Sequence, residues 1–147
     1  MNAFLKIAPH IARVLLGLMF FVFGLNGFLN FLPQPMPEGA AAHFLGGLGA
    51  APYFFPLLKG TEVLIGVALL SNRLVPMALT ILAPITINIA GYHLFLAPEG
   101  MLMVVVIAAL QLYLMFAHKP AFEGLLRLKS VPPQQQLDHA ELGQATA

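Results

Sequence analysis

Residues 52–70 read PYFFPLLKGTEVLIGVALL, an apolar stretch of membrane-spanning length that contains both a lysine and a glutamate. A helix of about 20 apolar residues crosses the hydrocarbon core of a bilayer, where a charged side chain is costly. The next residues, Ser71-Asn72-Arg73, suffice only to reverse the chain before another apolar run begins. We therefore interpret residues 52–70 as a membrane crossing in spite of their two charges.

Three further apolar runs accompany this stretch: residues 14–32, 74–98 and 100–118 contain no Asp, Glu, Lys or Arg. Together the four runs predict an all-α fold, a four-transmembrane-helix bundle with spans at about 11–32, 52–70, 73–97 and 100–118. Residues 1–129 form this membrane domain. Residues 130–147 have too few apolar positions to pack, and we predict a disordered cytoplasmic tail there.

The composition agrees with an integral membrane protein and excludes several other classes. Of the 147 residues, 59% are hydrophobic and 9% are charged, whereas a soluble domain carries about 25% charged residues. The net charge of +1 gives no electrostatic attraction to nucleic acid. The chain has no cysteine, which excludes disulfides, thiolate metal sites and chemistry by a protein thiol. The lipid bilayer is therefore the expected partner.

The basic residues orient the bundle. Apart from Lys59, they lie near the amino terminus, in the turn at 71–73 or after the fourth span: Lys6, Arg13, Arg73, Lys119, Arg127 and Lys129. The first and third loops hold only the acidic Glu38 and Glu99. The positive-inside rule then places both termini in the cytoplasm. We expect a multi-pass protein of the bacterial inner membrane. We expect Arg13 to extend toward the lipid headgroups and residues 40–50 to form a short interfacial helix in the first outer loop.

Polar residues inside the spans are the candidate site. Lys59 and Glu62 stand three residues apart, so they share one helical face. At about 1.5 Å of rise per residue both lie near the midplane. Four more polar residues lie between the midplane and the outer surface: Asn26, Asn88, Tyr92 and His93. Packed together, the six would form an outward-facing polar pocket that binds a small amphipathic ligand.

Each of these residues also has a purely structural interpretation. Lys59 and Glu62 can neutralise each other within the helix packing, and Asn26 and Asn88 can form interhelical hydrogen bonds. His93 lies close enough to the interface to be a wetted histidine. His43 and His93 belong to separate elements without the spacing of metal ligands, so no metal site is predicted.

Several motifs follow one another in a recognisable order. The first span reads Arg13-x3-Gly17-x2-Phe20-x3-Gly24, the second contains Glu62-x3-Gly66, and the third runs from Ala83-Pro84-Ile85 through Asn88 to HLFLAP at 93–98. Over residues 11–128 this order resembles the DoxX family of small four-helix membrane proteins. One position departs from that pattern, because many relatives carry a lysine where this chain has Gly27. We expect Lys59 to supply that cation from the second span.

The resemblance implies a link to membrane redox systems, among them quinone-coupled thiosulfate oxidation and oxidative-stress assemblies. Our hypothesis is a subunit or accessory of a membrane redox system that binds a quinone-like ligand in the polar pocket. Its partner would be a membrane redox protein or a second copy of the chain. A non-catalytic scaffold subunit is the alternative. A small transporter or channel is less favoured, because four helices enclose little space. The residues leave open whether the chain is an enzyme.

Overall fold

The computed structural model of the protein describes residues 3–33 and 36–123, with side chains from Ile7 onward. Within these residues every regular element is helical, which confirms the all-α fold. The helices are α1 (Ala3–Leu29), α2 (Gly39–Gly49), α3 (Phe54–Leu70), α4 (Val75–Phe95), α5 (Met101–Ala117) and α6 (Lys119–Phe122), and a 3-10 turn at Pro98–Gly100 joins α4 to α5. The tail predicted at 130–147 lies outside the described residues.

Three helical stretches are long and apolar enough to cross a membrane: Ile7–Leu29, Val75–Phe95 and Pro98–Ala117. The fourth predicted crossing is different, because α3 passes this test only together with α2, and the two are bent by 91°. α3 alone has 17 residues, about 25 Å of helix. The structure thus contains three candidate crossings, or four if the bent pair counts as one.

The helix boundaries follow the sequence interpretation with two differences. The short helix predicted at 40–50 is present as α2. α1 begins at Ala3, well before the predicted start near residue 11, and continues through Pro9. It also ends at Leu29 instead of residue 32, because Asn30 adopts a left-handed φ of 49° that stops the helix.

Glycines bring α1 and α3 into close antiparallel contact. A Cβ added at Gly66 would lie 2.6 Å from the backbone nitrogen of Phe21, and one added at Gly24 would lie 2.8 Å from that of Val63. Gly17 faces the side chains of the last α3 leucines. In lipid, small residues at the contact allow the backbone approach that gives helix pairs their van der Waals energy. The glycine spacing quoted above therefore has a packing cause.

The remaining packing forms a bundle with a leucine-rich interior. α1 packs against α3 and α5, and α4 packs against the same two helices. Side chains from all four meet at the centre, where the fully buried ones are Leu16, Leu69, Leu79, Leu82 and Leu114. Large apolar side chains cover the outside, among them Leu64, Leu102 and Phe116. An apolar interior together with an apolar surface is what we expect of a helix bundle surrounded by lipid.

Arg13 does not extend to the headgroups, so that expectation is wrong. Its side chain is buried, and Nη1 donates hydrogen bonds to the carbonyl oxygens of Leu69 and, at 3.2 Å, Leu70. These carbonyls belong to the last turn of α3, where oxygen atoms lack partners within the helix and carry the negative end of its dipole. The guanidinium therefore caps α3 and fixes the register between α1 and α3.

Candidate functional site

The charged pair of α3 is formed as the spacing predicts. Lys59 Nζ lies 2.8 Å from Glu62 Oε2. The glutamate side chain is 4% exposed and the lysine side chain 26% exposed. A carboxylate removed from water needs such a partner, because an unpaired buried charge costs several kcal/mol. The neighbouring helix thus shelters Glu62, while the lysine keeps a partly open side.

α1 provides the space for this pair through its glycines. A Cβ at Gly27 would overlap the aliphatic stem of Lys59, and a Cβ at Gly24 would lie 3.1 Å from that of Glu62. Lys59 therefore lies across the surface of α1 and turns toward Glu62. The Lys59 stem thus occupies the space beside Gly27.

Asn26 of α1 is also buried, but its side chain forms hydrogen bonds with the backbone that follows the helix. Its Oδ1 accepts a hydrogen bond of 2.6 Å from the N–H of Leu32, and its Nδ2 donates to the carbonyl oxygen of the same residue at 3.4 Å. These bonds hold the turn in which Asn30 has a positive φ. Asn26 therefore closes the end of α1.

Asn88 and Tyr92 lie elsewhere, in a groove along α4 that neither Lys59 nor Glu62 lines. The groove has a volume of about 310 Å³, and Phe44 of α2 contributes one wall. Its lining residues are Phe44, Ile87, Asn88, Gly91, Tyr92, Phe95 and Leu96. The rings of Phe44 and Tyr92 are 5.9 Å apart in a tilted arrangement. An aromatic wall with one carboxamide and one phenol suits a small ring that accepts hydrogen bonds.

Asn88 is a polar side chain of this groove that has unused hydrogen-bonding atoms. One Nδ2 hydrogen is donated to the carbonyl oxygen of Pro84 at 2.9 Å, and the residue is exposed. A carboxamide has two N–H donors and an oxygen acceptor, so a second N–H and Oδ1 stay available. The residue stands seven positions before the end of α4, about 10 Å below it.

His93 does not line the groove. Its Nδ1 is 2.8 Å from the carbonyl oxygen of Ala97, and its ring leaves no room for a Cβ at Gly100. The ring also meets Tyr92 edge to face, with centroids 5.1 Å apart. His93 thus stabilises the turn between α4 and α5 and packs against the ring of Tyr92.

The predicted residues therefore lie in separate places. Lys59 and Glu62 meet at the contact of α1 and α3, and Asn88 and Tyr92 share the groove beside α2. Asn26 and His93 bond to nearby backbone. A second shallow depression, lined by His10, Ile11, Val14 and Leu15, contains none of these residues. In the described part of the chain no three metal-ligating side chains cluster.

A buried polar link between α4 and α5 was not identified from the sequence. Thr86 Oγ1 donates to Gln111 Oε1 at 2.6 Å, and Gln111 Nε2 donates to the carbonyl oxygen of Leu79 at 3.1 Å. Leu79 and Thr86 are two turns apart on one face of α4, so a single glutamine spans both. A glutamine in an otherwise apolar span indicates such a bond, but the sequence does not specify its partner.

Comparison of the chain with protein-family models, with characterised proteins and with solved structures finds no match.

Proposed function

We propose that the chain is a DoxX-like protein that crosses the bacterial inner membrane four times with both termini in the cytoplasm. The bend between α2 and α3 supports this topology, because α2 then lies along the outer interface while α3 crosses. Arg13 meets the last turn of α3, next to the turn that carries Arg73. The basic residues of two elements therefore share one end of the bundle, as a cytoplasmic end requires.

We infer that the function is to bind a small amphipathic ligand, quinone-like in its chemistry, as a subunit or accessory of a membrane redox system. The observation that carries this proposal is the groove that Asn88 and Tyr92 line together with the aromatic rings of Phe44 and Phe95. A quinone ring can stack on the aromatic walls. Its carbonyl oxygens can accept hydrogen bonds from the free Asn88 N–H and the Tyr92 hydroxyl. A partner protein would exchange electrons with the bound ring.

The charged pair has an indirect part in this proposal. Lys59 supplies, from α3, the cation that DoxX-like proteins carry on the first helix, and it fills the space beside Gly27. Its ion pair with Glu62 lies within α3, on the face that packs against α1. The predicted ligand contacts thus divide into a groove pair, Asn88 and Tyr92, and a supporting set, Lys59, Glu62, Asn26 and His93.

A photoreactive benzoquinone with a decyl chain, added to the protein in lipid nanodiscs, tests the ligand proposal. The Asn88→Leu variant removes one ligand hydrogen bond, worth about 1 kcal/mol, and should weaken binding about fivefold. Thr80→Val is the matched control, because Thr80 is also exposed on α4 and bonds its own helix at Pro76, but does not line the groove. Equal binding by all three proteins would overturn the proposal.

A scaffold subunit is the second candidate, and one observation favours it. Lys59 bonds to Glu62, Asn26 to Leu32 and His93 to Ala97, so each of these polar side chains has a partner within the chain. In a scaffold, Glu62→Gln should lower stability and leave quinone binding unmeasurable in every variant. Saturable binding of the quinone that survives Glu62→Gln would instead support the groove.

A further inference from the structure

The groove along α4 is only partly enclosed. Ile87 is 70% exposed and Phe95 79% exposed, although both line it. A site that binds a small molecule tightly buries most of that molecule's surface. A ring lying on Asn88 and Tyr92 would therefore have one open side toward the lipid. Another part of the molecule has to supply the missing wall.

α2 is the element placed to supply it. Its Phe44 lines the outer end of the groove and meets Tyr92, yet remains 45% exposed. The helix stands at 91° to α3, so a rotation about the residues between them carries Phe44 toward or away from α4. α2 is thus attached beside the groove instead of within the bundle.

The anchoring of α2 is weaker than that of the other long helices. Ala41 is its one buried residue, and Cβ atoms added at Gly46 or Gly47 would meet no atom within 4 Å. The helix starts at Gly39, whose φ of +55° is left-handed, and non-helical residues 50–53 separate it from α3. Elements with few buried contacts open at low free-energy cost, and lids over binding sites are drawn from them.

We propose that α2 is a lid that closes over the α4 groove, with Phe44 as its contact to the bound ring. This inference rests on the proposed function for the identity of the ligand, but the hinge and the weak anchoring are properties of the chain by itself. In the open state the groove faces the outer leaflet, and a ligand enters sideways from the bilayer. In the closed state Phe44 covers the ring held by Asn88 and Tyr92.

Paired spin labels measure this motion directly, because the chain has no cysteine of its own. Gly47→Cys on α2 and Ile81→Cys on α4 report the lid, and Ile81→Cys with Leu112→Cys on α5 reports the bundle as a matched control. Without ligand, we expect a broad 47–81 distance distribution and a narrow 81–112 distribution. A 47–81 distribution as narrow as the control would overturn the lid.

The decyl benzoquinone then separates the lid from the ligand proposal. Where the probe binds, the 47–81 distribution should narrow and shift by at least about 5 Å, half a helix diameter, and Phe44→Ala should remove the shift. Bound probe with no shift contradicts the lid and leaves the ligand proposal standing. Failure of the probe to bind contradicts the ligand proposal, while the distribution without ligand still decides the lid.

Discussion

Two regions of the molecule differ in how their polar side chains are bonded. One is the contact between α1 and α3, and the other is the outer face of α4. At the first, Glu62 is buried and paired, and Arg13 is bonded to the end of the neighbouring helix. At the second, Asn88 is exposed among apolar side chains, and one of its amide hydrogens is donated to the carbonyl oxygen of Pro84 on the same helix. Polar groups that hold a bundle together are satisfied inside it. A polar group left over on an apolar face indicates an interaction that the chain alone does not complete.

Removing Glu62 should have the largest effect on stability. Glu62→Ala leaves the ammonium of Lys59 without its partner among apolar helices, and we expect a loss of about 3 kcal/mol of unfolding free energy. The value is at the low end for a buried pair because Lys59 is partly exposed. Unfolding by SDS in mixed micelles measures it.

The double variant Lys59→Met/Glu62→Leu serves as the control for this prediction. It removes both charges and should recover most of the lost stability, since replacing a buried pair by apolar residues is often neutral. A double variant as unstable as Glu62→Ala would show that the pair does more than neutralise itself.

A substitution that forces α1 and α3 apart should have the next largest effect on stability. In Gly66→Ala the new methyl would press on the backbone of Phe21, which cannot yield without moving α1, and overpacking of this kind costs about 2 kcal/mol. Gly60→Ala on the same helix is the control, because nothing lies within 4 Å of its Cβ position. Thermal unfolding in detergent compares the two. Equal melting temperatures would contradict the close contact.

The cap on α3 should contribute less. Arg13→Met removes the hydrogen bonds to Leu69 and Leu70 but also removes a buried Nε that has no partner. We expect a net loss of about 1 kcal/mol. Arg73→Met, an exposed arginine at the same end, should leave the SDS unfolding curve unchanged. A larger loss for Arg73 than for Arg13 would place the important cation on the turn instead of on α1.

Asn88 should affect stability least of all. Asn88→Leu removes a polar side chain from an apolar face where its bond to Pro84 is local, so the unfolding free energy should stay the same or rise slightly. A clear loss would mean that Asn88 is part of the bundle, and the contrast between the two regions would disappear.

The sequence predicted the positions of the helices better than it predicted the contacts between them. Hydropathy located the three long helices with charge-free runs, the short turn at 71–73 indicated α3, and the spacing of Lys59 and Glu62 predicted their ion pair. These features depend on residues close together in the chain. The cap formed by Arg13 joins residues 56 positions apart, and the bond of Thr86 to Gln111 joins residues 25 positions apart. Neither follows from local spacing.

The candidate pocket shows the same limit. Counting residues along a helix gives the depth of a side chain, and Asn26 and Asn88 come out at similar depths. Depth does not give the direction in which a side chain points. In the structure Asn26 turns to the chain after α1 and Asn88 turns to the groove beside α2. Direction depends on how the helices pack, and the sequence specified that only through the glycines of α1 and α3.

Mapping the residues that capture a photoreactive decyl benzoquinone in nanodiscs tests the central claim most directly. The account predicts cross-links, competed away by unlabelled quinone, on Phe44 and on the segment from Ile87 to Leu96. Specific cross-links on the segments around Gly24 to Gly27 and Lys59 to Glu62, with none on α4, would contradict it. The ligand would then lie at the charged pair, and the α4 groove would be a surface for lipid.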